Sequence, residues 1–350
     1  MNRFFFTIFV LLTVILCIGC GKTTNDKLTT HCPCFERDLP TSGNRWEYPT
    51  DWEVTESGFV GIENISFENY PKVDGSTSTN ILNTMVACKL LGVSYKWMPP
   101  LVEEWFLQYS FNDIPEPYKY DFFGTRVKTS QTHGAFMNLI DGNVDIILTH
   151  RTISSDEKFH ADAVGVSLIE TSIALDAFVF VVNKENHIKS LTVNQIQEIY
   201  TNIITNWKQV GGNNAEIQVF TRPRNSGSEE VFRTLVMNGL EPADFPEAAI
   251  GSMAWVFAEV IGNVNSICYS FNTYKDFQAR KPCDEVPIIA INGICPSENT
   301  VKNGTYPFIS EVRVAIRSDI DRNSMAYKLY EWLQSENAKY TITECGFLSK

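Results

Sequence analysis

Basic residues are scarce: 29 lysines and arginines stand against 41 aspartates and glutamates, a formal net charge of −12 over 350 residues. That deficit excludes nucleic acid and an anionic membrane surface as partners bound by bulk charge. It leaves open a small anion, for which local donors decide. Several enzyme signatures are missing as well. Neither a Gly-x-x-x-x-Gly-Lys-Ser/Thr loop nor a Gly-x-Gly-x-x-Gly after a strand is present, which argues against a nucleotide cradle. No Gly-x-Ser-x-Gly elbow and no His-Glu-x-x-His pair occurs, which argues against the common serine and zinc hydrolases. Ser155-Asp156-Glu157-Lys158 has the Ser-x-x-Lys of penicillin-recognising hydrolases, but without Ser-Asp-Asn or Lys-Thr-Gly partners it reads as a solvated loop. His31 beside Cys32-Pro33-Cys34 lacks the second pair that a structural zinc site needs, so no metal and no cofactor is implied. Repeats of solenoid length are absent.

What is present is ordinary globular material, 44% hydrophobic and 20% charged, long enough for two domains. Arg3 precedes an uncharged run, FFFTIFVLLTVILCIGC, that ends at Cys20. This reads as a secretory signal over residues 1–20, and Cys17-Ile18-Gly19-Cys20 resembles a bacterial lipobox with cysteine where leucine is usual. Cys20 is then the lipidated residue, and the mature chain is exported and held to the cell envelope by its lipid. The alternative is a plain membrane anchor, for which about 17 apolar residues is at the short end. Residues 21–65, polar and turn-rich, read as a tether and N-terminal extension. Export permits disulfides, and Cys268, Cys283 and Cys295 are close enough in sequence for one bridge among them, its pairing left open.

Beyond the tether, strand-like runs alternate with helix-like ones, which predicts an α/β fold with largely parallel sheets. Ile81, Leu82, Met85, Val86 and Leu90 mark one helix face, and Phe136, Leu139 and Ile140 a second. Val144 to Thr149 and Ala177 to Asn183 read as strands, the latter apolar on both faces and therefore buried. Thr192 is placed to cap a helix carrying Ile196, Ile199 and Tyr200. Ile217 to Arg222 reads as a strand, and Val231, Phe232, Leu235 and Val236 as the helix after it.

Three loop-to-helix junctions are crowded with small hydroxyl residues: VDGSTST (Val73 to Thr79), TSQTHG (Thr129 to Gly134) and RPRNSGSEE (Arg222 to Glu230). A helix start exposes unpaired N–H groups and carries partial positive charge, so it favours an anion. Hydroxyls add donors, glycine allows close approach, and Arg222, four residues before Ser226, adds a planar charged donor suited to a phosphate edge. Any one junction alone is more simply a capped helix, since serine and threonine are the ordinary N-cap residues. Three converging ones point to a small tetrahedral oxyanion.

The stretch AFVFVVNKENHIKSLTVNQIQEIYTNIITNWKQVGG (Ala177 to Gly212), with TRPRNSGSEEVF, INGICPSENTVKNGTYPF and the closing ECGFLS, resembles the phosphate-binding proteins of high-affinity phosphate ABC transporters. The resemblance runs from about Tyr70 to the end. It implies the two-lobed, hinged type II solute-binding fold, with lobe I from residues 66–175 plus 296–350 and lobe II from 176–295. It also implies a non-enzymatic monomer that captures inorganic phosphate and hands it to ABC permease subunits. Carried over by position, the ligand donors fall on Thr77, Ser78, Thr132, Thr149, His150, Arg222, Ser226, Gly227 and Ser228. At His150 the family's best-known members carry an aspartate that accepts the proton of hydrogen phosphate and repels sulfate. Histidine followed by Arg151 would donate to any oxyanion, which widens the expected ligand to related tetrahedral anions. A neutral His150 taking the aspartate's part predicts affinity that falls as imidazole titrates near pH ~6.5. Two other classes compete: a lipid-anchored sensor or adhesin with a degenerate pocket, and a hydrolase using Ser226 or Ser228, for which the sequence shows no base.

Overall fold

The computed structural model describes residues 30–33, 59–98, 106–247, 253–279 and 284–350. Cys20, the apolar run before it, Cys34 and Cys283 lie outside the described residues.

One mixed sheet organises the chain. Its strands are β1 (Val73–Gly75), β2 (Ile146–Thr149), β3 (Leu168–Val182), β4 (Gln218–Val219), β5 (Ser266–Phe271), β6 (Ile309–Arg317) and β7 (Leu348–Ser349). The spatial order is β1-β2-β6-β3-β5-β4, with β7 also on β3. Strands β1 and β2 are parallel, as are β4 and β5, but β6 runs antiparallel to both β2 and β3, and β3 antiparallel to β5. The α/β class is as predicted, whereas the largely parallel sheet is not. The reason is topological. The 15-residue β3 carries the chain out of one core into another and β6 brings it back beside it, so neighbouring crossings must run in opposite senses.

Two large cores sit along that crossing. One draws on residues between 70 and 174 and between 312 and 347; the other draws on residues 177–309 with Cys32 and Leu348. Ala177 to Asn183 is buried throughout, as its two-sided apolar pattern requires. Thr192 caps the helix Val193–Tyr200, accepting the Gln195 amide at 3.1 Å, and Ile196, Ile199 and Tyr200 face inward. Ser155 to Lys158 is not a loop: it opens the helix Ser155–Ala163, closed at its start by a Ser154–Glu157 capping box. Among the described residues no helix is long and apolar enough to cross a membrane.

Cys295 bridges to Cys32 across 263 residues of sequence, with Cα atoms 5.4 Å apart. Cys268 is a free, buried thiol, which corrects the expectation of a local bridge among the later cysteines. Pairing depends on spatial approach, and Cys32 is brought in by its amide donating to the Ile288 carbonyl at 3.1 Å. Part of the expected tether is therefore packed against the second core.

Candidate functional site

All three hydroxyl junctions open onto one cleft of about 510 Å³, lined by residues 76–78, 130–134 and 222–228 with Met253 and Phe271. Each wall is a helix start. Residues Thr77–Thr79 form a 3₁₀ turn leading into α1 (Asn80–Leu91). The second wall begins α2 (Gln131–Ile140), and the third α3 (Gly227–Val231), which continues as a wider π-helical turn through Met237.

A buried aspartate aligns the first two walls. Asp74 accepts hydrogen bonds from the Gly75 amide, the Ser130 amide and Asn138 Nδ2, each at 2.8 Å. Its place inside VDG carries no sequence signal for this, because Ser130 and Asn138 lie more than fifty residues on. Gly75 is also fixed by packing: a Cβ there would sit 2.6 Å from Asn83 Nδ2, 2.7 Å from the Leu148 carbonyl and 2.8 Å from Thr79 Oγ1. The glycine thus serves protein–protein approach rather than approach to a ligand. Gly75→Ala is expected to destabilise the fold by about 1–3 kcal/mol through overpacking, read as a lower urea midpoint at unchanged slope.

The third wall is held from behind. Glu229 is buried and accepts from the Arg222 amide at 3.2 Å, from Arg233 Nε at 2.7 Å and from the Tyr269 hydroxyl, which itself lies 3.1 Å from the Arg222 amide. Burial, reinforced by the Glu229 carboxylate, pushes the Tyr269 phenol well above its usual range, so it stays a donor. Ser226 caps α3 by accepting the Glu229 amide at 3.2 Å, which keeps its own hydroxyl proton available. Asn225, just before it, has φ 70°, a left-handed conformation that asparagine tolerates. Gln131, opening α2, has φ 63°, a costlier choice for its residue type.

Of the nine expected ligand donors, Thr77, Ser78, Thr132, Arg222, Ser226, Gly227 and Ser228 line the cleft. Thr149 and His150 do not. Thr149 is fully buried and donates to the Arg151 carbonyl at 2.8 Å. His150, 2% exposed, lies behind Ser78, its Nδ1 2.7 Å from Ser78 Oγ and its ring stacked on Phe271 at 4.1 Å. Its Nε2 faces Asp176 Oδ2 at 3.4 Å, an ion-pair distance without hydrogen-bond geometry. Arg151 does not donate to a ligand either. Its two terminal nitrogens bind Glu157 at 2.7 Å each, and the pair is buried against Phe136. Strand β2 ends at Thr149, so the next two side chains turn inward, and their partners come from β3 and from a helix that the sequence did not connect to them.

His133, Asp156 and Glu157 bring ligand atoms within 4.8 Å of one another, a spacing that could hold a cation. Both Glu157 oxygens are already engaged by Arg151, and the Ser154 hydroxyl holds the Asp156 carboxyl below its usual range. The cluster reads as an ion-pair network at the cleft mouth, where Asn225 Nδ2 meets Asp156 Oδ2 at 3.5 Å.

Comparison with known proteins agrees with this layout. A family model described as a PBP superfamily domain matches residues 89–337, well over half of the chain. A Bacillus subtilis protein named phosphate-binding protein PstS is 24% identical over 209 residues, covering 59% of this chain and 63% of its own length. A Borreliella burgdorferi protein of the same name is 24% identical over 255 residues, covering 71% of this chain and 85% of its own length. Among solved structures, an ABC-type phosphate transport receptor from Vibrio cholerae superimposes with a TM-score of 0.56 at 22% identity, covering 82% of this chain and 100% of that one. A Clostridium perfringens structure gives a TM-score of 0.58 at 21% identity over 82% of this chain and 99% of that one. It is provisionally named a phosphate ABC transporter substrate-binding protein and holds bound phosphate. At these identities the structural likeness speaks for the fold.

Proposed function

The chain belongs to the PBP superfamily, and on that premise we propose that it is a solute-binding protein capturing inorganic phosphate between two lobes for an ABC permease. The observation that carries this reading is the convergence of three hydroxyl-rich helix starts and Arg222 on one cleft. Relatives named for phosphate binding supply the ligand class. The lobes correspond to the two cores, with β3 and β6 as the crossings about which they close. Export suits the Cys32–Cys295 bridge, since disulfides persist in oxidising compartments. The lipobox-like run ending at Cys20 supports a lipid-anchored receptor. A hydrolase reading would need a base beside Ser226, and the bond Ser226 makes is to the Glu229 amide.

Titration calorimetry of the chain from Gly21 onward, with phosphate and then sulfate, tests the proposal. Saturable phosphate binding is expected, and micromolar affinity requires about 8 kcal/mol, within reach of several charge-assisted hydrogen bonds at roughly 1.5–3 kcal/mol each. Arg222→Ala is expected to weaken binding by about 10- to 150-fold while leaving the thermal midpoint within a few degrees. An Arg222→Ala protein that binds phosphate as tightly as the wild type would overturn the assignment of this cleft.

A further inference from the structure

We propose that Arg224 is a steering residue at the cleft mouth: its charge draws phosphate in, without Arg224 joining the donors that hold the bound anion. The proposal rests on the phosphate-capture reading above and adds to it how an acidic protein takes up an anion.

The problem is electrostatic. The chain carries a formal net charge of −12, so the field of the whole molecule opposes an approaching phosphate. Groups deep in the cleft do little about this at a distance. Arg222 is only 9% exposed, and the charge of a helix start falls off within its first turn. Arg151 is committed to Glu157, each terminal nitrogen bonded at 2.7 Å.

Arg224 is placed differently. Of the described residues lining the cleft, only Arg222 and Arg224 are permanently cationic, and only Arg224 is exposed. Both belong to the loop from β4 to α3, with Pro223 between them and Asn225, at φ 70°, leading to the Ser226 cap. Among the described residues Arg224 has no hydrogen bond or ion pair of its own. The carboxylate that feels its charge, Glu241, is held by Arg233 at 2.8 Å. Across the mouth Asp156 is half-exposed and kept ionised by the Ser154 hydroxyl, so Arg224 is the cation that offsets it there. An exposed charge acts over about a Debye length, roughly 10 Å at 0.1 M salt and 30 Å at 0.01 M. A cleft with low-dielectric walls focuses that field on its opening. Steering needs charge and no fixed fork of donors, so lysine should serve as well as arginine.

The test follows phosphate association and dissociation by stopped-flow tryptophan fluorescence in the wild type, Arg224→Lys, Arg224→Gln and Arg224→Glu. At low sodium chloride, association is expected to slow by about threefold in Arg224→Gln and about tenfold in Arg224→Glu. Arg224→Lys should match the wild type, and dissociation should be the same in all four. In about 0.5 M salt the differences should shrink to less than about twofold, whereas the loss in Arg222→Ala persists because buried charges are screened little. Thermal midpoints should coincide, since an exposed side chain is being changed. Equal association rates across the charge series overturn the proposal. So does faster dissociation of Arg224→Gln that lysine does not rescue and salt does not remove, which would make Arg224 a donor to the bound anion. Should the fluorescence stay flat, Kd from calorimetry at the two salt concentrations must show the same ordering and the same convergence. A wild-type protein that binds no phosphate removes the capture reading itself. Phosphate binding that ignores the charge at residue 224 removes only the role of Arg224.

Discussion

Gly227→Val is expected to reduce phosphate affinity on the order of a thousandfold, the largest effect on binding of any single change considered. A Cβ at Gly227 would lie 2.4 Å from Thr132 Oγ1, so the third wall could no longer approach the second. Holding them apart withdraws Arg222, Ser226 and Ser228 together, and two or more charge-assisted bonds at roughly 1.5–3 kcal/mol each account for that factor. The folded state itself should be little affected, since φ at this position is not left-handed and the clash falls between facing walls. Calorimetry would measure the loss, and a thermal melt would show a midpoint close to wild type. Gly227→Ala with Thr132→Ala is the informative companion. The remaining contact, Cβ against the residue 132 Cβ at 3.4 Å, is ordinary van der Waals distance, so the closing motion should return even though one hydroxyl is gone. Undiminished phosphate binding by Gly227→Val would mean that the walls need not meet.

The largest effect on stability should come from Glu157→Ala. It leaves the Arg151 guanidinium buried without its bidentate partner and removes the acceptor of the Ser154 amide at 2.9 Å. Breaking a buried pair from one side costs about 3–5 kcal/mol, a large share of the 5–15 kcal/mol that keeps a domain folded. A fall in the thermal midpoint of about 6 °C or more follows. Adding Arg151→Met removes the orphaned charge and should recover most of the loss, because an apolar replacement of a buried pair is often neutral. The double variant also separates packing from ligand binding. With Arg151 engaged by Glu157, phosphate affinity should stay within a few-fold of wild type, whereas a donor at the ligand would lose at least tenfold.

Much of the architecture was legible because it rests on local patterns. Ala177 to Asn183 announces a buried strand by being apolar on both faces, and Thr192 announces a helix by standing ahead of the face carrying Ile196, Ile199 and Tyr200. The cleft was legible for the same reason: hydroxyls, glycine and Arg222 sit together in sequence at helix starts, and seven of the nine expected residues meet there. What sequence left hidden depends on partners far along the chain. Asp74 reads as a loop residue until Ser130 and Asn138 fold against it. His150 and Arg151 follow a strand that ends in the cleft wall, yet Asp176 and Glu157 draw them away from the ligand side. The antiparallel crossings were invisible because strand patterns carry no direction, and the Cys32–Cys295 pair because nothing local links its halves.

That pair has a consequence for how the molecule comes apart. The bridge closes a covalent ring that contains α1, α2, α3 and the strands β1 to β5, leaving outside it only residues before Cys32 and a C-terminal stretch that includes β6 and β7. A protease that severs the chain once anywhere inside the ring releases no fragment. The nicked protein migrates as one species until a reductant is added, and only then divides in two.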